Sequence, residues 1–193
     1  MTDTYFDLDN ILSEEERIPC VFNLDAVGMG MLDPTSVDED ITQGTKVEFP
    51  MWMARYLHLK AMVDIELPKH YADKARDQLD AGAGAVNLRN KSPFYYEVGG
   101  VLARLCNDKP LQDKLLSVFS GDRFRRLLDC SLNSLNEDIT PITRELPYLE
   151  RRLFDAGYQA SEEYVRWKSR TLNKLSTSKV LQGKSKRQRT ALT

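Results

Sequence analysis

Pro50 divides this chain into two regimes of hydrophobic spacing. Ahead of it, Ile18 to Asn23 and Thr45 to Phe49 are short runs rich in apolar residues and bounded by turn formers, the pattern of strands. Behind it, apolar residues recur every three or four positions, the pattern of helices that bury one face. The expected fold is therefore mainly α. A small, acidic, β-rich N-terminal domain with one short helix occupies residues 1–49, a larger all-helical bundle domain residues 50–176, and a flexible basic tail residues 177–193. Fifty residues bury little apolar surface by themselves, so the first block should rest on a partner surface.

Within that block, Asp7 is placed to cap a short helix bearing Leu8, Ile11 and Leu12 on one face, with Ser13-Glu14-Glu15-Glu16 ending it in solvent. Pro19 argues that the first strand lies at a sheet edge or begins there, because proline cannot donate to a central ladder. Val27-Gly28-Met29-Gly30 reads as a turn or bulge, and Asp33-Pro34-Thr35 as a second turn.

Pro50 suits the first turn of a helix that carries Trp52, Tyr56, Leu59 and Val63 and stops before Pro68. Lys69 to Ala81 is a second, with Ala72, Ala75 and Leu79 as its apolar stripe and Gly82 or Gly84 as its stop. A third starts near Pro93 and turns Phe94, Val98, Leu102 and Leu105 to one side. Gly99-Gly100 inside it costs about 1 kcal/mol per glycine unless another backbone packs there. Leu111, Leu115, Val118 and Phe119 share one face, while Phe124, Leu127, Leu128 and Leu132 share another, so the helix breaks at Ser120-Gly121-Asp122. Ile142, Leu146, Leu149, Leu153 and Ala156 form a seam that Pro147 should kink or shorten and Gly157 should end. Ser161 then caps a last helix with Tyr164, Trp167, Leu172 and Leu175. After Ser176 few large apolar residues remain, too few to offset the entropy of ordering.

The net charge of −2 conceals segregation: residues 1–50 carry a balance of −10, and from Arg166 onward nine Lys and Arg stand without an acid. Such polarity points to polar partners at each end, or to two well-solvated ends. No stretch approaches the roughly 18 uncharged apolar residues of a membrane helix. Met1-Thr2-Asp3 is the reverse of a signal peptide, so the chain is expected inside the cell with no membrane contact. Cys20, Cys106 and Cys130 are widely spaced among apolar neighbours, which favours buried reduced thiols over disulfides or a zinc site.

Catalytic chemistry finds little support. His58 and His70 stand twelve apart on separate predicted helices and read as helix-face residues. Ala81-Gly82-Ala83-Gly84-Ala85 closes a helix rather than following a strand, so it is not a dinucleotide fingerprint. No catalytic residue, cofactor or metal ligand is expected. The basic tail residues Lys184, Lys186, Arg187 and Arg189 could act in nuclear import or touch nucleic acid. The aromatics supply the contact candidates. Phe94-Tyr95-Tyr96 spans most of a helix circumference, so at least one ring should be exposed or in an interface. Phe49, Trp52, Phe154, Tyr158, Tyr164 and Trp167 complete the set.

Phe6-Asp7-Leu8-Asp9-Asn10-Ile11-Leu12, Glu16-Arg17-Ile18-Pro19-Cys20, and Gly44 to Pro50 with Trp52 resemble the third subunit type of the GINS complex of eukaryotic DNA replication, the partner-of-Sld-five three family. Phe124-Arg125-Arg126, Asn136-Glu137-Asp138 and the Trp167 region fit the same pattern. The resemblance implies a nuclear, non-enzymatic subunit of a heterotetramer with three sister GINS subunits. It further implies that the tetramer joins the MCM helicase ring and an accessory helicase factor at origins and forks, with DNA contact by this chain indirect or absent. A nucleic-acid-binding module acting through the basic tail is the alternative.

Overall fold

The computed structural model describes residues 6–33, 38–135 and 137–171. The fold is mainly α, with a small three-stranded antiparallel sheet near the N-terminus. Asp7 caps helix α1 (Leu8–Glu14), its carboxylate accepting from the Asp9 N–H at 3.2 Å. Strands β1 (Arg17–Phe22), β2 (Lys46–Pro50) and β3 (Val63–Ile65) follow, with helix α2 (Met51–Leu59) between the last two. The remaining helices are α3 (Asp73–Gly82), α4 (Tyr95–Leu105), α5 (Lys109–Ser120), α6 (Asp122–Asn133), α7 (Thr140–Glu145) and α8 (Tyr148–Lys168).

The strand order is β2-β1-β3, so β1 is central and not at an edge. Its proline is tolerated because of where it sits along the strand. Pro19 O accepts from Glu66 N at 2.9 Å, so its ring nitrogen faces that same side, just past Ile65, the last residue of β3 paired to β1. The missing donor falls where the ladder has already ended.

The helix expected to run to Pro68 stops at Leu59. Ala61 takes φ of 56°, a left-handed turn that reverses the chain into β3, where Val63 pairs with Phe22. Val63 matched the helical spacing only by coincidence. Its β-branched side chain suits a strand, and β1 offered an unfilled edge.

Alternation along the strands sends Ile18, Cys20, Phe22, Val47, Phe49 and Val63 to one face, where they join Tyr71, Tyr95, Val98, Leu102, Leu111 and Leu115 in a continuous core. The inner face of the acidic block thus rests on the chain's own helices. Tyr71 is fully buried, stacks on Tyr95 at 4.9 Å between centroids, and donates its hydroxyl to Tyr95 O at 2.8 Å. Gly99 lets this happen: a Cβ there would lie 2.8 Å from Tyr71 Cε1 and 2.9 Å from Leu115 Cδ1. Side chains, rather than another backbone, occupy the space. The break at Gly121 between α5 and α6 is present as expected.

Two expectations fail together in the last third. Pro147 does interrupt the helix, separating α7 from α8, but Gly157 does not end it and Ser161 does not cap a new one. α8 runs unbroken for 21 residues. Gly157 is where α6 crosses closely, since a Cβ there would stand 2.5 Å from Ser131 Oγ. Ser161 Oγ instead donates across to Leu132 O at 2.9 Å. The buried face of α8 is Glu150 and Phe154, one position out of phase with the expected Leu149, Leu153 and Ala156 seam, and Leu153 is left exposed.

Candidate interaction surface

A buried ion pair accounts for that phase error. Arg123, on α6, grips Glu150, on α8, with Nε to Oε1 at 2.5 Å and Nη2 to Oε2 at 2.9 Å. Its Nη1 donates to Ala83 O at 3.0 Å and Val86 O at 2.8 Å, and the Tyr96 hydroxyl donates to Glu150 Oε1 at 2.6 Å. Glu150 is only 2% exposed. Burial by itself opposes the guanidinium charge, but the Glu150 carboxylate outweighs it and holds Arg123 above its ordinary value. Every charge in this cluster is answered within the chain, which makes it a structural clamp rather than an acid–base couple.

The other titratable groups of interest are also set by the interior. Burial, with Cys106 nearby, pushes the Cys20 thiol up to about 12, so it is a neutral core residue rather than a nucleophile. His70 precedes α3 instead of lying on a helix. Its ring packs on Tyr71 at 4.4 Å between centroids, and burial, then Lys91, lowers its pKa. His58 Nδ1 lies 3.1 Å from Val63 O at the α2–β3 turn. Among the described residues, no group of three or more His, Cys, Asp or Glu could hold a metal ion, and no helix is long and apolar enough to cross a membrane.

The contact candidates divide sharply. Phe49, Tyr95 and Phe154 are sealed in the interior, so they serve the core. Phe94, Tyr96 and Tyr158 are half-buried. Phe94 meets Tyr148 at 5.3 Å, Tyr96 meets Phe119 edge-on at 5.4 Å, and Tyr158 stacks on Phe154 at 6.2 Å. None of the three rings in Phe94-Tyr95-Tyr96 is fully exposed in the chain by itself, because core neighbours approach them from several sides. Trp52, Tyr164 and Trp167 remain at the surface, 50%, 59% and 63% exposed. Lys184, Lys186, Arg187 and Arg189 lie outside the described residues.

Around the exposed aromatics, the structure adds residues that were not singled out as contacts. Tyr56 and Leu59 stand one and two turns beyond Trp52 on the same face of α2, and both are exposed. Leu8, Ile11 and Leu12 leave the apolar side of α1 open, and Val165 joins Tyr164 and Trp167 near the end of α8. Apart from Val165, periodicity had placed these on apolar helix faces, but it does not tell a face turned to the chain's own core from one turned to another molecule. Ordered helices with large open apolar faces are the mark of an assembly subunit.

The class so defined agrees with known proteins. Residues 6–59 match the model of the PSF3 N-terminal domain. Over 191 residues the chain is 31% identical to the DNA replication complex GINS protein PSF3 of Xenopus laevis, covering 96% of this chain and 90% of that protein. It is 29% identical to the Homo sapiens protein of the same name, across 96% of this chain and 89% of that one. With a probable PSF3 of Dictyostelium discoideum the identity is 36% over 167 residues, which is 86% of this chain but 62% of that longer protein. The chain belongs to the PSF3 family.

Proposed function

We propose that this chain is a non-catalytic structural subunit of a heterotetrameric GINS complex in the nucleus. It assembles with three sister subunits, and the tetramer joins the MCM ring and an accessory factor in the replicative helicase. The observation that carries the reading is the set of ordered but uncovered apolar faces: Trp52, Tyr56 and Leu59 on α2, and Tyr164, Val165 and Trp167 on α8. A chain acting alone in water would gain nothing from holding them open. The division into a small N-terminal domain, a helical domain and a basic tail is part of the same proposal, with the interface assigned to Trp52, Tyr164 and Trp167 from among the aromatics.

The test is co-expression with the three sister subunits from the same organism, followed by native mass measurement of the purified assembly. A stable 1:1:1:1 species is the expected result. A well-behaved monomer that ignores its sisters overturns the proposal.

A further inference from the structure

A cleft of about 550 Å³ opens between α1, α2 and α4. Glu14 lines it from α1, Met51 and Arg55 from α2, and Glu97, Gly100 and Arg104 from α4. Three of its features are left unanswered by the chain's own packing.

The first is Gly100. A glycine inside a helix costs about 1 kcal/mol relative to alanine. Gly99 has its reason in the tight contact with Tyr71 and Leu115, but a Cβ at Gly100 would meet nothing within 4 Å. The second is Glu97, whose Oε2 is sealed from solvent and has no hydrogen-bond partner. Buried polar atoms are almost always partnered, so an orphan calls for an explanation. Burial raises the Glu97 pKa, outweighing the Glu97 backbone N–H and the Arg152 charge, which lower it. The third is the pair of exposed cations, Arg55 and Arg104. Neither makes an ion pair among the described residues, and Arg104 Nε donates only to Gly100 O of its own helix, at 3.1 Å.

We propose that this cleft is a docking slot for a polypeptide segment of a sister subunit. The segment crosses α4 closely at Gly100, supplies an N–H-bearing side chain to Glu97, and places a carboxylate between Arg55 and Arg104. The slot rests on the scaffold reading given above. Gly100 provides the close approach, as a residue without Cβ does wherever one backbone must pass another. Glu97 lines the cleft, where a donor on the segment would meet its carboxylate. Opposite charges side by side in one cleft match a segment of complementary pattern better than a ligand of a single sign, and they fix its direction. Glu14, across the cleft, reinforces that polarity.

The experiment is a competition for limiting partners. Wild-type chain and a differently tagged variant are co-expressed with limiting amounts of the three sister subunits, and the ratio in the purified tetramer is read by mass spectrometry. Gly100→Leu, which fills the slot, should be incorporated about tenfold less than wild type, the scale of losing a buried contact. Glu97→Leu, which removes the acceptor, should fall by a few-fold. Both should keep the wild-type far-ultraviolet dichroism, because the Gly100 side chain enters open space and the Glu97 change removes a buried charge. Should Gly100→Leu fail this folding check, Glu97→Leu decides alone. Incorporation of the folded variants at parity overturns the slot while leaving the tetramer intact. Absence of any tetramer with wild-type chain overturns the scaffold reading, and the slot with it.

Discussion

Arg123 and Glu150 show what a single pair of side chains can demand of its surroundings. Two charges taken out of water are tolerated only when geometry and extra hydrogen bonds compensate, and here two carbonyls and a tyrosine hydroxyl complete the set. Removing one partner is therefore worse than removing both. Glu150→Ala should cost about 3–5 kcal/mol in urea unfolding, whereas the double variant Arg123→Met with Glu150→Leu should recover most of that loss. A second residue-scale prediction concerns His70, whose folded pKa lies below its ordinary value because burial disfavours the imidazolium. A histidine shifted this way contributes stability above its unfolded value of about 6.5, and that contribution is lost as pH falls through the lowered folded value. The melting temperature of wild type should drop more steeply than that of His70→Gln on acidification below pH of about 6.5. Equal slopes would show that the imidazole is not the group being charged. Neither site was legible beforehand. Arg123 and Glu150 look like any solvated helix residues in sequence, and only the meeting of α6 with α8 buries them.

At the scale of elements, α8 is the clearest case of packing overruling a local signal. Gly157 carries the usual mark of a helix stop, yet the helix continues because the glycine is needed for the crossing with α6. The sign of one substitution separates the two roles. If the glycine were only a weak helix former, Gly157→Ala would stabilise by about 1 kcal/mol. With Ser131 Oγ only 2.5 Å from the new Cβ, the change should instead destabilise by about 1–3 kcal/mol. Adding Ser131→Gly should relieve most of the loss, as read from thermal melts of the single and double variants. α2 teaches the same lesson in reverse. Periodicity extended it through Val63, but pairing with β1 claimed that residue for a strand. Where a stop was carried by geometry that no neighbour could override, as at Gly121 and Pro147, the expected break is present.

For the whole molecule, the consequence of open apolar faces is a chain poorly suited to solitude. Expressed without its sisters it should aggregate, and co-expression should bring it into the soluble fraction. Replacing Trp52, Tyr56 and Leu59 together by Gln should raise solubility of the lone chain and change unfolding free energy by no more than about 0.5 kcal/mol per site. The same variant should lose co-purification with the sister subunits. Retained assembly would move the interface away from α2. The class of fold, the break at Gly121 and the family membership were all legible in the residues, because proline and glycine punctuation, apolar spacing and the words around Phe6 and Pro50 are local. The central place of β1, the Arg123–Glu150 clamp, the continuity of α8 and the sorting of aromatics into core and surface were decided only by tertiary structure. Each depends on which residues meet across the chain, and burial belongs to that meeting and not to any residue alone.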